Sequence, residues 1–341
     1  MTNIKFNVIK LNFGDNPVHF ATPSKDYTTS ETILHSDTLY SALLDVAFNL
    51  DLLKSSDEGN YGFYLSSAFP YYYDSKNNKT YYFFPRPLIT EVRPPDEYSK
   101  KWKKVKWIEK SLFEKIITNP DELQISEKNI QGEFLIPDGL EKFDSNFILK
   151  EEQPRVKVGL PGIDSEPYYV QRIYFQNNCG LFFITLFDND EIKKIFYNIL
   201  DFLKYEGFGS YRTIGFGQFT YTTDEGINIS SPENSNYACT LSLFCPENKE
   251  QLFQMLKDAS WQLIKRGGWI TNHQYKFRKK NVTMFSEGSI FFIPDNAKNI
   301  KKINSFKVIG SILNVAPSNE NISIPYPVFR YGKGIFIPVK I

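Results

Sequence analysis

The chain has 341 residues, 41% hydrophobic and 16% aromatic, with 40 Lys and Arg against 39 Asp and Glu, and it is long enough for two domains that each bury a core. It contains no run of about eighteen apolar residues and no apolar signal core after Met1, so we expect a cytosolic protein without a membrane span. Its three cysteines, in no CxxC spacing, argue against a disulfide framework and a structural zinc site, and we expect neither a metal nor a cofactor.

The first 84 residues predict a strand, a helix and further strands. Residues 4–13 alternate between apolar and polar in two opposite phases, which predicts a strand interrupted by a bulge. A helix is predicted to begin at Ser36, which we interpret as its capping residue, with Asp37 in the first turn and an apolar stripe beyond it. Strands are predicted over 61–73 and 80–84.

Between about residues 90 and 170 the apolar periodicity thins while Pro, Gly and charged residues increase, which predicts a large insertion rather than another core layer. Residues 155–158 and 169–175 alternate on either side of a Gly- and Pro-containing turn and predict a long hairpin. Residues 100–107 interleave lysines with two tryptophans. This run fits a nucleic-acid contact, a solvated lysine face or a protein docking surface, and we favour docking.

The core is predicted to resume with a buried strand over 181–187. A helix follows over about 190–205 and is stopped by Gly207. A strand over 218–223 completes this part, and residues 224–236 are predicted to be an interdomain linker.

The remaining residues are predicted to repeat this order in a second domain. Its elements are a strand over 237–244, a helix over 246–266, and strands near 282–293 and 334–339. Strand, helix, strands, helix, strand is the split βαβ order. We therefore predict an α+β protein of two tandem ferredoxin-like (RRM-like) domains: 1–223, which carries the insertion and the hairpin, and a degenerate second domain, 237–341.

The near-neutral total charge hides a split. After Asp258 there are thirteen basic and three acidic residues, a net charge of +10, whereas residues 1–258 carry −9. Such an asymmetry suggests two different neighbours, one of them polyanionic, although a solvated basic face would give the same count. The basic residues of this half that we consider RNA candidates are Arg266, Lys276, Arg278, Lys279, Lys280 and Arg330.

The sharpest local motif consists of two Gly-Phe-Gly triplets, at 207–209 and 215–217, separated by five residues. Glycine permits positive φ and lets backbone amides approach a phosphate. Between the triplets, Tyr211 supplies a stacking surface and Arg212 a fork for phosphate or guanine. The loop lacks the Gly-Lys-Ser/Thr ending of a P-loop, and a simple helix-to-strand connector is the alternative interpretation. The loop residues predicted to bind RNA are Gly207, Gly209, Ser210, Tyr211, Arg212, Gly215 and Gly217.

This loop resembles the signature of the RAMP superfamily of CRISPR RNA-binding proteins. Four further stretches resemble, in the expected order, the subunit of the Csm complex (type III-A) that grips the five-prime end of the guide RNA. They are residues 34–43, 265–270, 284–291 and 327–332. At one point the chain departs from the family, because Gly267 stands where a serine is more usual, and no phosphate contact is carried over to it.

The resemblance implies a non-catalytic subunit of an antiviral ribonucleoprotein. Such a protein binds the repeat-derived five-prime handle of the crRNA, docks the large polymerase/cyclase-like subunit and contacts the backbone RAMP subunit. It meets target RNA indirectly, through a thumb hairpin that wedges into the guide–target duplex. Residues 155–175 are the candidate thumb, with Arg155, Lys157, Tyr169 and Arg172 as its candidate contacts.

Three further residues are assigned to the same RNA strand. His35 and Ser36, at the amino end of the first predicted helix, would face it because a helix N-terminus favours phosphate. Local capping of the helix is the alternative role for these two. Trp269 is expected to meet a base.

Two alternatives remain open. One is the equivalent subunit of the related Cmr complex. The other is a processing endoribonuclease of the same superfamily, with His35 as general base. Against the ribonuclease, 124 residues follow Gly217, whereas processing enzymes usually carry the glycine loop near the C-terminus.

Overall fold

The computed structural model describes most of the chain. It covers residues 1–22, 27–54, 56, 58–89, 92, 94, 96–140, 143–157, 164–176, 178–233, 235–271, 276–293, 300–303, 306–317 and 327–341. The helices are α1 (Ser36–Asn49), α2 (Ser99–Trp102), α3 (Lys110–Thr118), α4 (Asp190–Glu206) and α5 (Lys249–Met255). Within the described residues, none of them has the length and apolar character needed to cross a bilayer.

Among the described residues, thirteen strands belong to the first two thirds of the chain and nine to the last third. The first set is β1 (Thr2–Asn12), β2 (Phe20–Ala21), β3 (Ser30–Glu31), β4 (Phe63–Leu65), β5 (Phe69–Asp74), β6 (Lys79–Pro85), β7 (Trp107–Glu109), β8 (Ile130–Gln131), β9 (Phe134–Leu135), β10 (Ile148–Lys157), β11 (Glu166–Phe175), β12 (Gly180–Phe187) and β13 (Thr220–Ser231). The second set is β14 (Tyr237–Thr240), β15 (Leu263–Arg266), β16 (Trp269–Thr271), β17 (Lys276–Arg278), β18 (Val282–Phe285), β19 (Ile290–Phe292), β20 (Lys301–Ile303), β21 (Phe306–Asn314) and β22 (Phe329–Val339).

The larger sheet has nine strands in the order β13-β1-β12-β5-β6-β7-β9-β8, with β4 paired to β12 beside β5. The register between β1 and β13 shifts between Phe6, opposite Ile227, and Val8, opposite Asp224. The extra residue therefore lies in β13 and not in β1, where the bulge was predicted. Both faces of this sheet are covered. Ile9 and Leu11 pack with α1 and α4 on one face, and Phe6 and Val8 pack with α3 and the smaller sheet on the other. Burial on both faces explains why β12 is a continuous apolar run.

The predicted insertion is wrong in one respect, because part of it is core. Strand β7 pairs with β6 and β9, which extends the larger sheet, and Phe113 of α3 stacks on Phe84 at 4.8 Å. The helices and strands in this core part of the predicted insertion are too short for an apolar periodicity to repeat, so the sequence pattern resembled that of a loop. In the 100–107 run, Trp107 is buried and Trp102 half-buried, while the lysines are exposed.

The predicted hairpin is present. Strands β10 and β11 pair without interruption from Ile148 and Phe175 to Lys157 and Glu166, as a two-stranded sheet of their own. It begins earlier in the sequence than predicted. Its turn, residues 158–163, lies outside the described residues.

The smaller sheet has the order β19-β14-β22-β21-β20 and is formed by the last third of the chain. Two predictions there are corrected. Residues 224–231, expected in a linker, continue β13 and pair with β1 as far as Ser231 opposite Thr2. The helix expected over 246–266 ends at Met255. Asp258 then adopts a positive φ of 48°, and residues 263–266 pair with β18 as β15 instead of continuing the helix.

The two sheets share one core. Leu241, which directly follows β14, and Ile335 of β22 belong to the same cluster as Phe6 and Val8 of β1, and Tyr331 stacks on Tyr40 of α1 at 4.5 Å. The predicted α+β class is confirmed. The tandem ferredoxin-like arrangement stays a prediction, since the smaller sheet is accompanied by one helix of seven residues in the described part of the chain.

Candidate nucleic-acid interface

A cleft of about 930 Å³ lies between the two parts of the chain. Its walls are the loop of residues 207–217, called here the glycine loop, the flank of α1, and the segment from β15 to β17 with the start of β22. It brings together many residues that the sequence analysis selected from distant motifs. Those that line it are His35, Gly207, Gly209, Ser210, Arg212, Arg266, Trp269, Arg278, Lys279 and Arg330.

Three glycines of the glycine loop, Gly207, Gly209 and Gly217, are required for close packing. Gly217 has φ +75°, and a Cβ there would lie 1.9 Å from the carbonyl oxygen of Phe208. Gly209 has φ +91°, and its Cβ would lie 2.4 Å from the carbonyl oxygen of His19. Phe208 is buried and stacks on Phe219 at 5.0 Å. The aromatic of the first triplet therefore anchors the loop, as its position in the motif suggested.

The loop leaves several backbone donors free. The Ser210 amide donates to the His19 carbonyl and the Gly217 amide to the Pro17 carbonyl, both at 2.9 Å. Among the described residues, the amides of Gly209, Tyr211 and Arg212 have no acceptor. Amides on consecutive residues near a left-handed position form a concavity that suits an anion.

The two side chains predicted to act at the centre of the loop differ in their surroundings. Arg212 is exposed and its one described ion pair, with Glu206 at 3.3 Å, is also exposed, so it contributes little to stability. Tyr211 instead packs within an aromatic cluster, 5.3 Å from the Tyr27 ring and 5.5 Å from that of Phe216. The guanidinium of Arg155 lies 5.1 Å from the Tyr211 ring.

The hairpin residues therefore divide into two pairs. Arg155 and Arg172 face the glycine loop, Arg172 lying 5.6 Å from the Phe216 ring and donating to the Tyr174 hydroxyl at 3.0 Å. Lys157 and Tyr169 are exposed. The first pair joins the hairpin to the loop, and the second lies on its free surface.

The amino end of α1 is less open than predicted. His35, not Ser36, is the N-cap, and its side chain makes no capping bond. Ser36 is fully buried: its amide donates to the Ser67 hydroxyl at 2.8 Å and its hydroxyl accepts from the Leu243 amide at 3.1 Å. The predicted capping role of Ser36 is wrong, because the serine joins the two halves of the protein instead.

His35 lines the cleft and has a carboxylate partner. Its Nδ1 lies 2.8 Å from Oε1 of Glu287, which also accepts from the Ser67 hydroxyl. Burial alone would raise the pKa of Glu287, but the adjacent His35 and the hydroxyl more than offset it and hold the pKa below its usual value. Glu287 was not among the predicted site residues, although it lies in one of the family-like motifs.

A buried ion-pair cluster was missed altogether. Asp37 is fully buried and accepts two bonds from Arg266, at 3.0 and 2.9 Å, and one from Arg330. Burial would raise the pKa of Asp37, but the two guanidinium groups hold it well below its usual range. Arg266 and Arg330 are only 7% and 3% exposed. Their predicted direct contact with RNA is not supported, since both are engaged in holding the cleft wall.

The remaining predicted residues lie on strands β16 and β17 and on the two residues that follow β17. Trp269 is 57% exposed, and the Arg278 guanidinium lies 5.1 Å from its ring. Burial and the nearby Arg330 lower the pKa of Lys279 to about 8. Lys280 is exposed, and the side chain of Lys276 lies outside the described residues.

The departure at Gly267 has a local explanation. A Cβ at this position would lie 2.4 Å from Oδ1 of Asn281. The Gly267 carbonyl accepts from Arg330 at 2.7 Å. Glycine therefore lets the backbone approach both partners.

Comparisons with known proteins place this geometry in context. The family described as the CRISPR Csm4 C-terminal domain matches residues 233–339. The "CRISPR system Cms protein Csm4" of Thermococcus onnurineus is 26% identical over 244 residues, covering 66% of this chain and 69% of that protein. The Streptococcus thermophilus protein of the same name is 22% identical over 335 residues, covering 95% and 96%.

Solved structures share the fold. The Csm3-Csm4 subcomplex of the type III-A CRISPR-Cas interference complex contains a chain that matches with a TM-score of 0.62 at 19% identity, covering 98% of this chain and 100% of that one. A Csm1-Csm4 cassette in complex with pppApA matches with a TM-score of 0.57 at 19% identity, covering 99% and 98%. The matches extend over both sheets, and the sequence resemblance is confirmed.

Proposed function

Because this chain is a Csm4-type RAMP protein, we propose that it binds the five-prime handle of a crRNA in the cleft as a non-catalytic subunit of a type III-A effector. The observation that carries this proposal is the meeting of free loop amides, Arg212, Lys279 and the exposed Trp269 in one cleft. Single-stranded RNA is held by amides and cations on its phosphates and by aromatic rings against its bases. Each of these groups is present.

The electrostatics of the cleft support the same proposal. Two guanidinium groups against the single Asp37 carboxylate leave one net positive charge in the wall. Positive charge at the surface comes from Arg212, Lys265 and Arg278, and from Lys279 below about pH 8. Glu31 and Asp45 also line the cleft and offset part of it, but basic residues remain in excess. Such a local field attracts a polyanion even though the whole chain is near neutral.

The proposed partners follow those named for its relatives. We propose that the chain docks the large polymerase/cyclase-like subunit, as in the Csm1-Csm4 cassette, and contacts the backbone RAMP subunit, as in the Csm3-Csm4 subcomplex. The hairpin would act as the thumb at the guide–target duplex, since Lys157 and Tyr169 lie on its exposed surface. Target RNA is then met through the guide, in antiviral defence.

Arg212→Ala tests the central contact. We expect it to weaken binding of handle RNA by roughly 1–3 kcal/mol, because a charge-assisted contact to phosphate is lost. A filter-binding titration measures the effect. Lys103→Ala removes an equal charge from an exposed site outside the cleft and is the control. Equal affinities for wild type and Arg212→Ala would make the loop a mere connector.

One observation favours a second candidate, the processing ribonuclease. His35 lines the cleft with Glu287 on its Nδ1, and a carboxylate can orient a histidine that acts as a general base. Our proposal predicts that labelled repeat RNA stays intact when incubated with the purified protein without metal. Specific cleavage that disappears in His35→Ala would establish the ribonuclease instead.

A further inference from the structure

His19 carries a polar atom that the proposed function does not use. The residue lies just before β2, is 1% exposed and lines the cleft. Its Nδ1 is 2.8 Å from the carbonyl oxygen of Gln171 in the hairpin. A carbonyl oxygen only accepts, so Nδ1 carries a proton and donates it. Burial lowers the pKa of His19, which favours the neutral ring with an unprotonated Nε2.

Nε2 is therefore a hydrogen-bond acceptor, and it has no partner among the described residues. Leaving a buried polar atom without a partner costs free energy, and such atoms in native proteins call for an explanation. The imidazole packs between two tyrosines, with its centroid 5.8 Å from that of the tilted Tyr27 ring and 6.0 Å from that of the edge-on Tyr211 ring. The acceptor is thus fixed between the hairpin and the glycine loop.

Most of the charged groups that line the cleft are donors, although the Glu31 and Asp45 carboxylates also line it. The free amides of the glycine loop, Arg212 and Lys279 match phosphate oxygens, which accept hydrogen bonds and at neutral pH do not donate them. An acceptor at this point therefore matches another part of the strand. Every nucleotide of an RNA strand carries a donor on the sugar next to its phosphate, the ribose 2′-hydroxyl. This group distinguishes RNA from DNA.

We propose that Nε2 of His19 accepts a hydrogen bond from a ribose 2′-hydroxyl of the bound strand, and that the cleft thereby selects RNA over DNA. The proposal rests on the proposed RNA-binding function and adds the group that is recognised. Tyr27 packs on the His19 ring and is 48% exposed. Access to Nε2 requires this exposed side chain to turn outward, while Tyr211 still packs on the imidazole.

The test is a scan of handle RNAs that each carry a single 2′-deoxy substitution. For the wild-type chain, one position is expected to weaken binding by about threefold to tenfold, the effect of one lost hydrogen bond. His19→Asn retains an amide near the place of Nδ1, able to donate to Gln171, but removes Nε2. In this variant, 2′-deoxy substitution at the sensitive position is expected to weaken binding no more than substitution at the neighbouring positions does. Lys103→Ala, outside the cleft, should keep the wild-type pattern.

A spectroscopic measurement keeps the test valid if the variant does not fold. The chain has three histidines, so ¹⁵N-histidine NMR of the intact protein can follow the Nε2 signal of His19. We expect an unprotonated Nε2 that shifts on addition of handle RNA and shifts less with the RNA that lacks the critical hydroxyl. A protonated Nε2 in the free protein would overturn the inference.

The outcomes separate the inference from the function on which it rests. Tight RNA binding with no position sensitive to 2′-deoxy substitution, or with the same sensitivity in His19→Asn, overturns the role of His19 and leaves RNA binding intact. The inference is also overturned if His19 accepts its hydrogen bond from a base N–H and not from a ribose hydroxyl. Failure of the wild-type chain to bind handle RNA at all would instead remove the proposed function.

Discussion

Replacing Asp37 with asparagine is expected to lower the free energy of unfolding by about 3–5 kcal/mol, the effect of leaving buried charges without their partner. The carboxylate is fully buried against Arg266 and Arg330, and asparagine would leave two guanidinium groups facing each other in the interior. Urea unfolding of the two proteins measures the difference. RNA affinity should fall as well, because the cleft wall formed by β15 and β22 depends on this cluster.

The matched control is Asp45→Asn. Asp45 is on the same helix, exposed, and makes no ion pair with another described residue, so its replacement removes an equal charge with little expected change in stability. A similar loss in both variants would show that net charge, not the buried cluster, is responsible.

The Asp37 contribution has a defined pH dependence. The folded-state pKa lies far below the ordinary value of 3.8, so the contribution is fully present above that value and is lost as the pH falls below it. The difference in unfolding free energy between wild type and Asp37→Asn should therefore be constant at neutral pH and narrow below about pH 4. A difference that persisted unchanged at pH 2 would need a cause other than the carboxylate.

Gly217→Ala is expected to lower the free energy of unfolding by about 2–4 kcal/mol. A left-handed residue with a side chain costs about 1 kcal/mol, and moving a packed backbone carbonyl adds about 1–3 kcal/mol. The added Cβ would lie 1.9 Å from the Phe208 oxygen, so the loop must open. Affinity for handle RNA should fall by about tenfold or more, since the free amides and Arg212 lose their positions.

Gly215→Ala is the matched control for this loop. Gly215 also has a positive φ, +88°, but nothing lies within 4 Å of its added Cβ. The variant should therefore show only the conformational cost, about 1 kcal/mol, in thermal or urea unfolding. If both alanines cost the same, contact with Phe208 does not hold the loop closed.

Long regular elements were predictable, whereas short ones were not. Helix α4 repeats its apolar face over seventeen residues and begins with an Asn189 cap, so local sequence was sufficient. Residues 246–266 carry a similar stripe, but the chain leaves the helix after Met255. An extended β15 pairs with β18 and lets Arg266 reach Asp37. Whether this segment forms a strand therefore depends on Asp37, which is more than two hundred positions away.

The candidate site likewise combines features that local sequence predicts with features that depend on distant residues. Residue spacing and composition were sufficient to identify the glycine loop, the charge split and the family resemblance, because they are local properties of the chain. The availability of each cation, in contrast, became visible only in the folded protein. Arg266 and Arg330 are buried on Asp37 across 229 and 293 residues, while Arg212 remains exposed. Burial and long-range pairing set the availability of a charge, and neither is recorded in residue type.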